Sequence, residues 1–117
     1  MTFITDVLIA QTHRHGGATV SMDTGHDAGH TTGFYVGGLV PEIILPLPLD
    51  PSDVSEAVVT IGSATHWTGY IGTWTNGDRV HFDASEWYAT LDEAVTVART
   101  RGELAIWEIA GGTEFRL

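Results

Sequence analysis

The sequence predicts an α+β fold in a single domain over residues 1–117. We expect a mainly antiparallel sheet with two to three helices on one face, in the order α-β-β-β-α-β-β-α-β-β. Three observations carry this. Apolar residues alternate around Asn76-Gly77 as they do in a hairpin, Thr90-Leu91-Asp92-Glu93 has the form of a helix-opening capping box, and the strand-like runs are short and closely spaced.

Residues 3–13 place Ile4, Val7, Leu8 and Gln11 at helical spacing, with Thr2 available as N-cap and Gly16 as a stop. Their β-branched content also permits a strand. Ala18, Val20 and Met22 alternate with Thr19 and Ser21, which predicts a half-buried strand. The stretch from Asp23 to Gly33 is expected to be a mobile polar loop. Phe34-Tyr35-Val36 and Glu42 to Leu47 follow as short strands, the second confined to an edge by Pro46. Asp50 then caps a helix that has Pro51 at its first position and Val54, Ala57, Val58 and Ile61 on one face.

In the second half, Tyr70 to Thr75 and Asp78 to Asp83 form the arms of the hairpin. A type I′ turn at Asn76-Gly77 would set Val80 and Phe82 on one side and Arg79, His81 and Asp83 on the other. The helix after Thr90 buries Leu91, Ala94, Val95 and Ala98 and ends at Gly102 behind Arg99 and Arg101. Leu104 to Ile109 is apolar on nearly both faces, the pattern of a central strand, and puts Trp107 in the core. Thr113 to Leu117 is expected to turn Phe115 and Leu117 inward.

Composition narrows the function. A chain of 117 residues closes one hydrophobic core, and 43% hydrophobic residues with a mean hydropathy of +0.06 is the composition of a folded globule. No apolar run is long enough to span a membrane, and the N-terminus has no basic region of the kind that opens a signal peptide. With no cysteine, the chain has no disulfide, thiolate metal site or Cys nucleophile. A cytoplasmic location is therefore expected. Fifteen acidic residues stand against five basic ones, all arginine, for a net charge of −10. Such a balance repels phosphates, so direct nucleic-acid binding is not expected. The first five elements share the order of a double-stranded-RNA-binding domain, but residues 1–63 hold only Arg14 against seven carboxylates.

The histidines offer a metal-site hypothesis. His13 and His15, with His26 and His30 in a glycine-rich loop, could supply nitrogen ligands to zinc or another divalent ion. Against it, His26 and His30 share a face only on a helix, which Gly25 and Gly29 disfavour, and solvated loop histidines explain them as well. His66 and His81 read as strand-surface residues. No serine sits in a nucleophile elbow, and without lysine neither a P-loop nor a Schiff-base mechanism is open. Asp83 and Glu86 are the carboxylate pair that helix capping does not explain, so an enzyme is not indicated and no cofactor is expected. Trp67, Trp74 and Trp87 lie near turns beside Asp78, Asp83 and Glu86. Aromatic anchors rimmed by carboxylates would suit a basic protein surface.

The segments Tyr70-Ile71-Gly72-Thr73-Trp74, Val80 to Asp83 and Arg101-Gly102-Glu103-Leu104-Ala105-Ile106-Trp107, with Gly33-Phe34-Tyr35-Val36-Gly37-Gly38, resemble small uncharacterised proteins of actinobacteria and their phages. That resemblance implies a phage or mobile-element accessory factor and brings no activity with it. The leading expectation is a non-enzymatic acidic protein that uses its acidic and aromatic surface to bind and modulate a host protein with a basic surface, in the host cytoplasm if phage-encoded. A DNA mimic or anti-defence inhibitor is one form of it. A His-based metal-binding domain or metal-dependent hydrolase is the second hypothesis, and a small-ligand or nucleotide-binding module near Gly25 to Gly38 the third. Self-association as a homodimer stays open.

Overall fold

Local chemistry sets the helix ends in the computed structural model, which describes residues 2–117. Helix α1 spans Thr2–His15. Thr2 is itself helical and is therefore not the residue that caps α1. Helix α2, Pro51–Thr65, opens on Asp50, whose carboxylate accepts the Ser52 N–H at 3.3 Å. Helix α3, Leu91–Arg101, opens on Thr90. The Thr90 hydroxyl accepts the Glu93 N–H at 3.3 Å and donates to the Glu93 carboxylate at 2.9 Å. Gly102 closes α3 in the left-handed region at φ 74°, where glycine carries no Cβ penalty.

The strands are β1 (Gly17–Ser21), β2 (Phe34–Val36), β3 (Ile43–Pro46), β4 (Tyr70–Asn76), β5 (Arg79–Tyr88), β6 (Ala105–Glu108) and β7 (Thr113–Arg116). They form one antiparallel sheet in the order β1-β4-β5-β2-β6-β7, with β3 also on β5. The long strand β5 organises it. Its first half pairs with β3 (Ile43 opposite Phe82) and its second half with β2 (Val36 opposite Glu86), both on the side away from β4. With three helices and seven antiparallel strands, the domain is α+β in the expected order.

The helices lie on one face of this sheet. Val80, Phe82 and Ala84 of β5 join Val20, Ile71, α1 (Ile4, Leu8) and α2 (Val54, Ala57, Val58, Ile61) in the main core, where Phe82 is fully buried. A second cluster sets Val36 and Ile106 against Ala94 and Ala98 of α3. Leu91, expected in that stripe, is exposed. The side-chain period of two then sends His81, Asp83, Ser85 and Trp87 to the opposite, helix-free face. One polar contact inside the core ties α1 to β4, a 2.7 Å hydrogen bond between the buried hydroxyls of Thr12 and Thr73.

The hairpin turn differs from expectation by one residue. Asn76 pairs with Arg79, which leaves Gly77-Asp78 as the two-residue loop, and φ is positive at Gly77 (64°) but not at Asp78. Positive φ at the first central position alone is the pattern of a type II′ turn, which wants Gly there. Gly77→Ala should therefore cost about 1 kcal/mol through backbone strain, since nothing lies within 4 Å of a Cβ at that position. Asn76→Thr should be neutral or better, because Asn76 is a strand residue. Urea unfolding of the two variants separates the turns, as a type I′ turn would penalise threonine at Asn76.

Three further expectations are corrected. The strand from Leu104 is not central: β6 lies next to the sheet edge, and Trp107 is 47% exposed. Alternation puts Trp107 opposite Ile106, on the helix-free face, so its apolar surroundings in sequence did not make it core. Phe115 and Leu117 are also exposed, because β7 is the sheet's edge strand and α3 packs on β2 and β6 instead. His66 is no strand residue; it ends α2 in the left-handed region at φ 55°, followed by Trp67 at φ 59°.

Candidate functional site

The helix-free face is a trough. His15, Gly16 and Gly17 at the β1 end of the strand order and Glu114 at the β7 end line the same groove, which requires the sheet to curl toward that face. Its volume is about 830 Å³. Small residues make room along its floor, with Gly72 and Gly37 beside Asp83, while Trp74, Tyr35 and Trp107 stand as aromatic walls. A smaller hollow of about 230 Å³ between β3 and α2 has no aromatic lining, and its Asp53 sits in the first turn of α2.

Asp83 stands near the middle of this floor. Its carboxylate accepts the Ala84 N–H at 2.8 Å and weaker contacts from the Gly38 N–H at 3.3 and 3.4 Å. Burial pushes the Asp83 carboxyl up to about 6; the Gly38 and Ala84 amides pull against that shift, and the charges of Glu103 and Glu42 add to it. The Gly37-Gly38 pair does more than turn the chain. A Cβ on Gly37 would collide with the Asp83 carboxylate, and one on Gly38 would lie 2.9 Å from the Glu103 carboxyl carbon. Glycine lets this backbone pass directly over both acids.

The groove carries Asp27, Asp83, Glu103 and Glu114 and no arginine. Glu114 pairs with Arg116 at 3.3 Å on the rim, whereas Asp27, Asp83 and Glu103 have no cation partner among the described residues. The one arginine that approaches from below serves another purpose. On the helix face, Arg101 donates to the carbonyls of Val36 (3.2 Å) and Gly37 (3.1 Å) and forms a close ion pair with Glu86. Burial opposes ionisation of Glu86, but the Tyr88 hydroxyl and Arg101 outweigh it and hold its carboxyl below the usual range. Arg101 thereby anchors the strand end from which Gly37 and Gly38 reach Asp83.

An aromatic cluster forms one end of the trough. The His30 ring stacks on Trp87 with centroids 4.5 Å apart and meets Tyr35 and Tyr70 edge-on, and its Nδ1 lies 2.9 Å from the Tyr35 hydroxyl. The Trp87 indole N–H donates to the Thr32 carbonyl at 2.9 Å. Burial, with Tyr70 and Asp27 nearby, raises the Tyr35 phenol to about 12, so it remains a hydrogen-bond donor at any physiological pH. At the other end, Trp74 stacks on His81 at 4.1 Å, and His81 Nδ1 sits 2.9 Å from Glu42. Trp74 stays 49% exposed, held in place by that stack.

The segment expected to be a mobile loop is tied down. Ser21 N–H donates to the His26 carbonyl and Ala28 N–H to the Thr19 carbonyl, both at 2.9 Å, and Val20 bridges to Asp27. It thus runs along the outer edge of β1 and delivers Asp27, Gly29, His30 and Thr31 to the groove.

Of the residues singled out in the sequence, Trp74 and Asp83 line the groove and Trp87 backs its wall. The other three lie elsewhere. Trp67 packs its ring on Gly62 of α2, Asp78 sits in the β4–β5 turn, and Glu86 faces the helices. Of the histidines, His15 and His30 line the groove, His13 is exposed on α1, and His26 meets Phe3 edge-on. Among the described residues, no three His, Asp or Glu side chains come together as a metal-ligand set. Sequence reasoning missed Tyr35, Glu103 and Trp107. Alternation in β2 and β6 gave a signal for Tyr35 and Trp107; none marked Glu103.

Fold and site together define a curled antiparallel sheet, backed by three helices, whose open face is an acidic, aromatic-walled trough. Comparison of the chain with protein-family models, curated proteins and solved structures finds no match.

Proposed function

We propose that this protein is a non-enzymatic binding module that takes a cationic segment of a partner protein, an arginine or lysine side chain and its neighbours, into the trough. The observation that carries the reading is Asp83, a half-buried carboxylate kept among other acids with no cation beside it among the described residues. A guanidinium or ammonium group would supply the missing partner, and Trp74, Trp107 and Tyr35 offer faces on which its flat or aliphatic portion can lie. Concave placement of the acids favours gripping a protruding basic segment over presenting a DNA-like ridge. In keeping with the resemblance to actinobacterial and phage proteins, we assign the segment to a host protein that the module modulates.

A second reading has support from one observation. The 830 Å³ groove lies within the size range of small-molecule sites, and the Gly25 to Gly38 stretch supplies Gly29, His30, Thr31, Tyr35 and Gly37 to it. A small amine-bearing ligand would use the same acids.

Calorimetric titration with an arginine-rich peptide, an acidic peptide of equal length and free arginine tests both readings. The basic peptide should bind, the acidic one should not, and affinity should fall as salt rises. Binding of free arginine as tight as that of the peptide would favour the small-ligand reading. No binding of any cationic probe, or binding indifferent to salt, would overturn the proposal.

A further inference from the structure

Three sheet edges are managed differently. The outer edge of β1 is covered by the segment bridged through Val20 and Asp27, and β3 carries Pro46, which has no N–H to offer. Among the described residues, the outer edge of β7 has neither device. Leu117 N–H donates to the Leu104 carbonyl at 3.1 Å, so residues 113, 115 and 117 turn their backbone groups toward β6. Glu114 and Arg116 must then point theirs outward, to a free edge.

We infer that this edge pairs with β7 of a second copy of the chain, in an antiparallel two-fold register centred on Phe115. Only outward-facing residues can exchange ladder hydrogen bonds, which leaves three symmetric registers. Centring on Glu114 sets carboxylate against carboxylate, and centring on Arg116 sets arginine against arginine. With Phe115 on the axis, each Glu114 lies opposite Arg116 of the other copy, giving two cross-strand ion pairs on the groove face. Phe115 then meets its counterpart as a non-hydrogen-bonded pair, the closer of the two cross-strand spacings. That contact covers apolar surface the single chain leaves open: Phe115 is 39%, Leu117 38% and Leu104 76% exposed, all on the other face of the sheet at this edge. Because Glu114 also lines the trough, the two grooves adjoin at the axis.

Sedimentation equilibrium across a concentration series tests this. The native chain should show a monomer–dimer equilibrium. Glu114→Arg alone and Arg116→Glu alone should each weaken dimerisation on the order of tenfold or more, since both create like-charge pairs. The double exchange E114R/R116E should restore it while either single variant keeps native circular dichroism and melting. A native chain that stays monomeric at about 0.5 mM would overturn the inference. So would a dimer indifferent to the single exchanges, or one that the double exchange fails to restore.

Discussion

Replacing Asp83 by asparagine is expected to stabilise the protein by about 1–2 kcal/mol above pH 7 and to weaken capture of a cationic peptide about 30-fold or more. The stability effect follows from linkage. The carboxyl titrates at about 6 in the fold against an ordinary value of 3.8, so the folded chain holds a proton that the unfolded chain has lost between those values. Native stability should therefore fall as pH rises through that window and stay reduced above it. Below about pH 3 both states are protonated and Asp83→Asn should match the native chain. The full shift would correspond to roughly 3 kcal/mol, reduced here because the group is partly open to solvent. Chemical denaturation at about pH 3 and pH 8 measures both ends. Equal stability of the two proteins at pH 8 would contradict the reading of Asp83 as a charge held at a cost to the fold. A residue that weakens the free protein and strengthens the complex is what a binding site retains under selection for function.

The second large effect is expected at Arg101. Arg101→Leu removes the ion pair with Glu86 and two hydrogen bonds to the carbonyls of Val36 and Gly37, while the leucine keeps much of the aliphatic packing. We expect a loss of about 2–3 kcal/mol, below the range for a fully buried broken pair because Glu86 is partly solvated. The pH signature has the opposite sense to that of Asp83. Glu86 is depressed below its ordinary 4.5, so its contribution is present above that value and lost as the solution is acidified. Native stability should carry that acid-sensitive component and Arg101→Leu should lack most of it. Since Arg101 fixes the strand end that reaches Asp83, the variant should also bind cationic peptide more weakly without touching the groove. Thermal unfolding across acid pH, with peptide titration at pH 7, checks both; an unchanged acid profile would contradict the assignment.

Much of the fold was legible because short-range rules governed it. Asp50 and Thr90 cap their helices as their chemistry requires, and Val80 and Phe82 separate from His81 and Asp83 by simple alternation. The site was less legible because strand length and curvature decide it. Ending β5 at Asp83 made Glu86 and Asp83 look like neighbours. In a strand that runs to Tyr88 their separation of three puts them on opposite faces, while Asp83 and Trp87, four apart, share one. Trp107 illustrates the limit of an apolar run: whether both faces of a strand are covered depends on neighbours distant in sequence, and α3 covers only one face of β6. The folded-back segment from Asp23 to Gly33 has no periodicity to read. Its order comes from β1 and from the His30–Trp87 stack, which joins residues far apart in the chain.

Asp83 is a carboxylate that lacks a cation among the described residues of the free protein and, in the proposed complex, gains one. Its titration by carbon NMR of the side-chain carboxyl, with and without saturating arginine-rich peptide, measures this directly. In the free protein the midpoint should lie at about 6, and with peptide it should drop by roughly a unit or more as an opposite charge settles beside it. A free midpoint near 3.8, or one that the bound peptide leaves unmoved, would contradict it.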